Sequence, residues 1–318
     1  MLGALALVSS AVIVPLSLAE ATFEGRDGRI AFVARNPGGF DIYTVRPDGT
    51  GLLMLTSSGG ARDPRYDLTG TRIAYTLVGT SSKDVWVMRA GGHNQKPLIA
   101  TPTNESEPSW SPDGEWLAFT SDETGRKQVH LHHIPTGVSH QLTFTSDTMR
   151  QAWSPVWSPD GRRIAFVGQV PSGQSPTGEF YYKYSKAVMI VRPDGTGLHQ
   201  VTKSTYMFAQ RPDWTPDAKR IIFTNYGLEY RNYCPRPTYW IRADGTDQHR
   251  LGPRSCSEWG AVLSPGGDRM ALWSSGPWLN HEGGDKPGIY VADSDGSNWA
   301  RIVTEVRYGA GLDWQPLP

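Results

Sequence analysis

An excess of charge is the first thing this chain lacks: 31 Lys and Arg balance 31 Asp and Glu, a formal net charge of zero over 318 residues. A phosphate backbone needs a basic field, so nucleic acid is excluded as a partner. No polybasic stretch is present for an anionic lipid surface. Cysteine is nearly absent, with only Cys234 and Cys256. In the cytosol two such residues would be free thiols; in an exported protein they can pair. Two catalytic signatures are missing as well, the G-x-S-x-G nucleophile elbow and the H-E-x-x-H metal motif.

No Lys or Arg precedes Arg26, so the apolar start has no positive flank. Leu2 to Ala19 is nonetheless apolar or small throughout and uncharged, and Ser17-Leu18-Ala19 places small residues where a signal peptidase cuts. The segment reads either as the hydrophobic part of a secretory signal or as an uncleaved anchor near the spanning threshold. Residues 1–27 are therefore expected to be a signal peptide or membrane anchor plus a short linker. The remainder, 28–318, is expected to be exported: periplasmic, extracellular or anchored at the cell surface. No membrane insertion beyond that N-terminal anchor is expected.

What the chain has in quantity is Gly (35), Pro (24) and aromatics (11%), which suits short strands joined by tight turns. WSPDG occurs at 110–114 and 157–161, and VRPDGTGL at 45–52 and 191–198. Around them a unit of about 43 to 57 residues recurs six times. One anchor closes a first strand: Tyr66, Trp110, Trp157, Trp214, Leu263 and Trp314. A second, seven positions later, opens a second strand: Ile73, Leu117, Ile164, Ile221 and Met270, with Ile30 starting the series. Third strands carry pairs such as Ile42-Tyr43 and Val188-Met189, and DG turns lead into the fourth. In blade three the strands are expected at 106–110, 115–121, 127–134 and 138–144. The repeat enters at a second strand and leaves after a first, so the two partial copies make one blade. The expectation is an all-β, six-bladed β-propeller of four-stranded antiparallel blades, the first closed by the C-terminal strand.

WSPDGEWLAFTSD (110–122), WSPDGRRIAFVG (157–168) and DIYTVRPDGTGLLMLT (41–56) resemble the TolB-type repeat of the WD-like β-propellers. The resemblance covers roughly residues 28–316. It implies a propeller that binds proteins, peptides or sugars, or serves as the non-catalytic part of a peptidase. Full TolB carries an α/β domain ahead of its propeller; here the repeat starts near residue 28.

Turn residues such as Asp48, Asp113, Asp160 and Asp194 serve the scaffold, so a site is sought where the copies differ. The connections from strand two to strand three are long in blades four (169–185), five (226–237) and six (275–287), and long loops are disproportionately functional. They carry Tyr181, Tyr182, Tyr230 and Trp278, aromatics suited to a peptide or a sugar ring, or else to small satellite cores of their own. Cys234 and Cys256 fall in neighbouring connections on that face, close enough for a disulfide, or stay as two thiols. A second set occupies the position three before each strand-one anchor: Asp63, Glu107, Ser154, Arg211, Gly260 and Gly311. Four of these precede Pro, which should hold them extended around the channel mouth as a polar funnel or a water-filled lining.

Metal signals are weak. His130 and His132 alternate on one strand face, but His130 takes a packing position, and His281, Glu282 and Asp285 could hold at most a structural cation. No cofactor is expected. The function expected is an exported, non-enzymatic module that binds a protein segment, peptide or glycan on the blade four to six loop face. The alternative is a secreted polysaccharide lyase or hydrolase with its site at the channel mouth, where Arg211, His281 and Glu258 would be tested first. A structural role in a surface complex is a third reading.

Overall fold

A computed structural model describes residues 28–172, 184–203, 208–225, 237–251, 258–274, 287–304 and 311–317, and at 258 and 259 the backbone alone. Among these residues every regular element is a strand, and the strands form six four-stranded antiparallel sheets. Blade two is β4 (Ala61–Tyr66), β5 (Arg72–Val78), β6 (Lys83–Arg89) and β7 (Lys96–Ile99). Blade three is β8 (Glu105–Trp110), β9 (Trp116–Ser121), β10 (Gln128–His133) and β11 (Val138–Gln141). Blade four is β12 (Gln151–Trp157), β13 (Ile164–Pro171), β14 (Tyr184–Val191) and β15 (His199–Gln200). Blade five is β16 (Ala209–Trp214), β17 (Arg220–Asn225), β18 (Thr238–Arg242) and β19 (His249–Leu251). Blade six is β20 (Glu258–Leu263), β21 (Arg269–Ser274), β22 (Gly288–Asp293) and β23 (Ala300–Thr304).

Blade one joins the two ends of the fold: β1 (Ile30–Asn36), β2 (Gly39–Val45) and β3 (Leu53–Met54) are completed by β24 (Leu312–Trp314). The register sets Ile30 against Trp314 and Phe32 against Leu312. Beyond the ladder, Gln315 Nε2 donates to the Gly70 carbonyl at 2.7 Å, and the Arg29 amide donates to Gln315 Oε1 at 2.9 Å. The closing strand is thereby tied to blade two as well as to blade one.

Alternation along the second strand explains the ring. Successive side chains point to opposite sheet faces, so Ile30 and Phe32 enter a cluster shared with blade six, while Ala31 and Val33 enter one shared with blade two. Each of the six buried clusters is assembled from two adjacent blades, so no blade has a core of its own. The strand-one aromatics act across these seams. Trp110 Nε1 donates to the Arg65 carbonyl of the preceding blade at 3.2 Å, and Trp214 Nε1 to that of Val156 at 3.2 Å. An Arg at the start of the preceding blade's second strand, or just before it, lies over the same rings: Arg72 over Trp110 at 4.4 Å, Arg163 over Trp214 at 4.7 Å.

The turn aspartates work as read from the sequence. Asp48 and Asp194 accept the amides of Thr50 and Thr196 at 2.8 and 2.9 Å, and Asp113 and Asp160 those of Glu115 and Arg162 at 2.9 and 3.1 Å. Two boundaries differ from expectation by more than one residue. The fourth strand of blade three stops at Gln141 rather than Phe144, because Thr143 turns inward. Its Oγ1 accepts the Val129 amide at 2.9 Å and donates to Gln128 at 2.7 Å, leaving Phe144 outside and exposed. In blade four the expected loop is partly ladder, since Gln169, Val170 and Pro171 pair with Lys186, Ser185 and Tyr184. His130 is packed, as expected: its ring lies 5.6 Å from that of Phe119.

Candidate binding site at the channel mouth

The first strand of each blade runs from the loop face to the turn face along the axis. Five first strands converge on a cavity of about 80 Å³ lined by, among others, Asp63, Glu107, Trp153, Ser154, Gln210, Arg211 and Gly311. Five of the six copies of the position three before the anchor line the mouth, but not in the extended conformation expected of residues before proline. Asp63, Glu107, Ser154 and Arg211 have φ of 48°, 56°, 52° and 50°. The ladder shows why: Arg62 pairs with Thr76 and Arg65 with Ala74, so strand one carries one residue more than strand two. The same offset recurs in blades three, four, five and six. This is a bulge whose first residue is left-handed, with Pro next to it in four blades, where no ladder donor is needed. In the remaining two copies the position is Gly260 and Gly311, the residue type that takes positive φ at least cost. Each non-glycine copy stores about 1–3 kcal/mol of backbone strain.

Threonines on the second strands offset part of it. Thr76 Oγ1 accepts the Glu107 amide at 2.9 Å, Thr120 Oγ1 the Ser154 amide at 3.1 Å and Thr224 Oγ1 the Gly260 amide at 3.3 Å. Each pins the next blade's bulge. Thr120→Val, which keeps shape and removes the hydroxyl, should therefore lower unfolding free energy by about 1–2 kcal/mol in urea titrations. An unchanged midpoint would mean the bulge holds itself.

The ring side chains are not equivalent. Glu107 is fully engaged: its carboxylate accepts from Thr120 Oγ1 at 2.8 Å, the Ser154 amide at 3.0 Å and Ser154 Oγ at 2.8 Å. Arg211 and Asp63 form a loose pair at 3.6 Å across the mouth. Burial lifts the Asp63 carboxyl above its ordinary value; Arg211 pulls it back and Glu107 adds to the lift.

A second ring, missed in the sequence, lies two residues further toward the turn face. Arg65 Nη1 meets Asp213 Oδ2 at 3.0 Å and Asp313 Oδ1 at 3.3 Å, joining blades two, five and one across the channel. Asp313 also accepts the Tyr66 amide at 2.5 Å. Burial pushes the Asp313 carboxyl to about 7, with Arg65 lowering it and Asp213 raising it. Burial disfavours the Arg65 charge, but the two carboxylates outweigh it and raise its pKa. The sequence does carry a signal: the position before the anchor reads Arg65, Ser109, Val156, Asp213, Val262 and Asp313, as uneven as the ring of Asp63, Glu107 and Arg211.

Of the other predicted site residues, Glu258 opens β20 opposite Ser274. Tyr181, Tyr182, Tyr230, Trp278, His281, Glu282, Asp285, Cys234 and Cys256 lie outside the described residues, so the aromatic loops, the cation loop and the disulfide stay as expectations.

The chain matches the TolB beta propeller domain over residues 28–226. It is 29% identical over 155 residues to the Tol-Pal system protein TolB of Bordetella pertussis, across 49% of this chain and 32% of that protein. The chain thus spans about a third of the length of the curated relatives it matches first. TolB from Acinetobacter baumannii superposes with a TM-score of 0.68 at 19% identity, over 91% of this chain and 66% of that one. The putative TolB from Agrobacterium tumefaciens gives 0.61 at 17% identity, over 87% and 89%. Matching repeat, register and ring closure agree, and the chain belongs to the TolB beta propeller family.

Proposed function

We propose that this chain is an exported, non-enzymatic binding module that takes a segment of a partner protein at the loop-face mouth of its channel. One observation carries the reading. A position that turns the backbone holds Asp, Glu, Ser and Arg where glycine would be less strained, and of these Asp63 and Arg211 meet only in a loose pair at 3.6 Å. Side-chain chemistry at the mouth is therefore kept at a cost in backbone energy. The cavity of about 80 Å³ suits one side chain or a chain end, well short of the room that a run of sugar rings fills. The name of the Bordetella relative, a Tol-Pal system protein, supports a protein partner in an envelope assembly and a periplasmic location. The uncharged apolar stretch from Leu2 to Ala19 supports export.

Peptides displayed on phage and selected on the full chain should enrich a consensus. Arg211→Ala should weaken the enriched peptide about tenfold with little change in thermal midpoint, since its pair with Asp63 is loose and partly exposed. No enrichment, together with turnover of a polysaccharide panel, would overturn the reading in favour of an enzyme.

A further inference from the structure

Charge at the mouth is unevenly satisfied. The acidic groups are engaged: Glu107 by three donors, Asp63 by Arg211, Asp213 and Asp313 by Arg65. Two lysines at its rim, Lys186 and Lys127, are not, although neither lines the cavity itself. Lys186 sits near the loop-face end of β14, half-buried, its Nζ 5.5 Å from the centre of the Trp153 ring that lines the cavity. Lys127, exposed, is tied to the residue before Trp153, since its carbonyl accepts the Ala152 amide at 2.9 Å, and its charge reaches Lys186. Neither ammonium is in a hydrogen bond or ion pair among the described residues, although the Lys127 charge does reach Asp122, and only Lys186 is without any acid to answer it. Burial lowers the Lys186 pKa, and the nearby Lys127 charge lowers it further. A ring face compensates a half-buried ammonium only in part. Burying charge without a counter-charge is expensive, and natural proteins rarely keep it except where a ligand supplies the partner.

Resting on the protein-binding reading above, we infer that the rim of the mouth, beside the cavity that Trp153 lines, receives a carboxylate side chain of the partner segment, drawn to Lys186 and Lys127 at the Trp153 ring. The carboxylate neutralises two ammonium groups at once, and the indole packs the methylenes that carry it. Blades three and four, not the long aromatic loops of blades four to six, then set the sign of the partner.

Hexaglutamate, hexalysine and an oligogalacturonate, each titrated calorimetrically into the full chain, test the inference. Hexaglutamate is expected to bind and to weaken as salt is raised. Lys186→Gln should reduce its affinity about tenfold and Lys186→Arg should retain it. Lys186→Gln should also raise the thermal midpoint of the free protein, because an unpaired half-buried charge is gone; a merely structural lysine would not couple weaker binding to higher stability. No hexaglutamate binding, equal binding by Lys186→Gln, or tighter binding of hexalysine overturns the inference. Preference for the oligogalacturonate overturns it too, assigning the carboxylate to a glycan. If phage-selected peptides bind Lys186→Gln as well as wild type, the carboxylate pocket fails and the protein-binding reading stands. If no peptide binds at all, both fail.

Discussion

Arg65→Met should destabilise the folded chain by about 3 kcal/mol at a pH of about 8, measured by urea denaturation. Removing the guanidinium strands Asp213 and Asp313 in a channel where the two carboxylates and Arg65 keep only 15–22% of their side-chain surface. The loss should shrink to about a third near pH 5, and the sign follows from linkage. Asp313 has a folded pKa of about 7, above its unfolded value. A carboxyl raised in this way contributes fully below the unfolded pKa near 4 and loses its contribution as pH climbs through about 7. Without Arg65 the lift is larger, so the variant suffers most where Asp313 ionises. Adding Asp313→Asn should return part of the stability at high pH, since the amide oxygen can still accept from Tyr66. A pH-independent loss would mean that the arginine matters for packing alone.

Trp314→Ala should cost about 3–5 kcal/mol. The indole is 4% exposed, sits on the closing strand, and packs in the cluster shared by blades one and six. Arg269 lies over its ring at 5.6 Å. Leu317→Ala, three residues on and exposed, is the control and should move stability by no more than about 0.5 kcal/mol. Equal effects would mean that the terminal strand docks as a tail rather than closing the ring.

These cases show which parts of the molecule the sequence could announce. Trp110, Trp157, Trp214 and Trp314 recur at a fixed place because each bridges a seam between blades, so the periodicity that reveals them is the periodicity of the ring. The site was half legible. The positions of Asp63, Glu107 and Arg211 could be found by aligning copies, but their backbone could not: proline steers its predecessor away from the right-handed region, and only pairing with strand two shows that an extra residue forces positive φ. The triad of Arg65, Asp213 and Asp313 is spread over 248 residues and meets only because three blades converge. Lys186 gives no signal at all, being an ordinary third-strand residue whose importance depends on Trp153 and Lys127 arriving from other strands.

Ring closure also governs timing. Arg29 and Gln315 are 286 residues apart and bond to each other, and such long-range contacts are slow to form. A chain made from its N-terminus keeps Ile30 and Phe32 uncovered until the closing strand is delivered. Gly311 and Leu312 line the channel on that strand, so the mouth is finished by the same event that shuts the ring. Until then the ring has no latch, and the channel mouth lacks the wall that Gly311 and Leu312 supply.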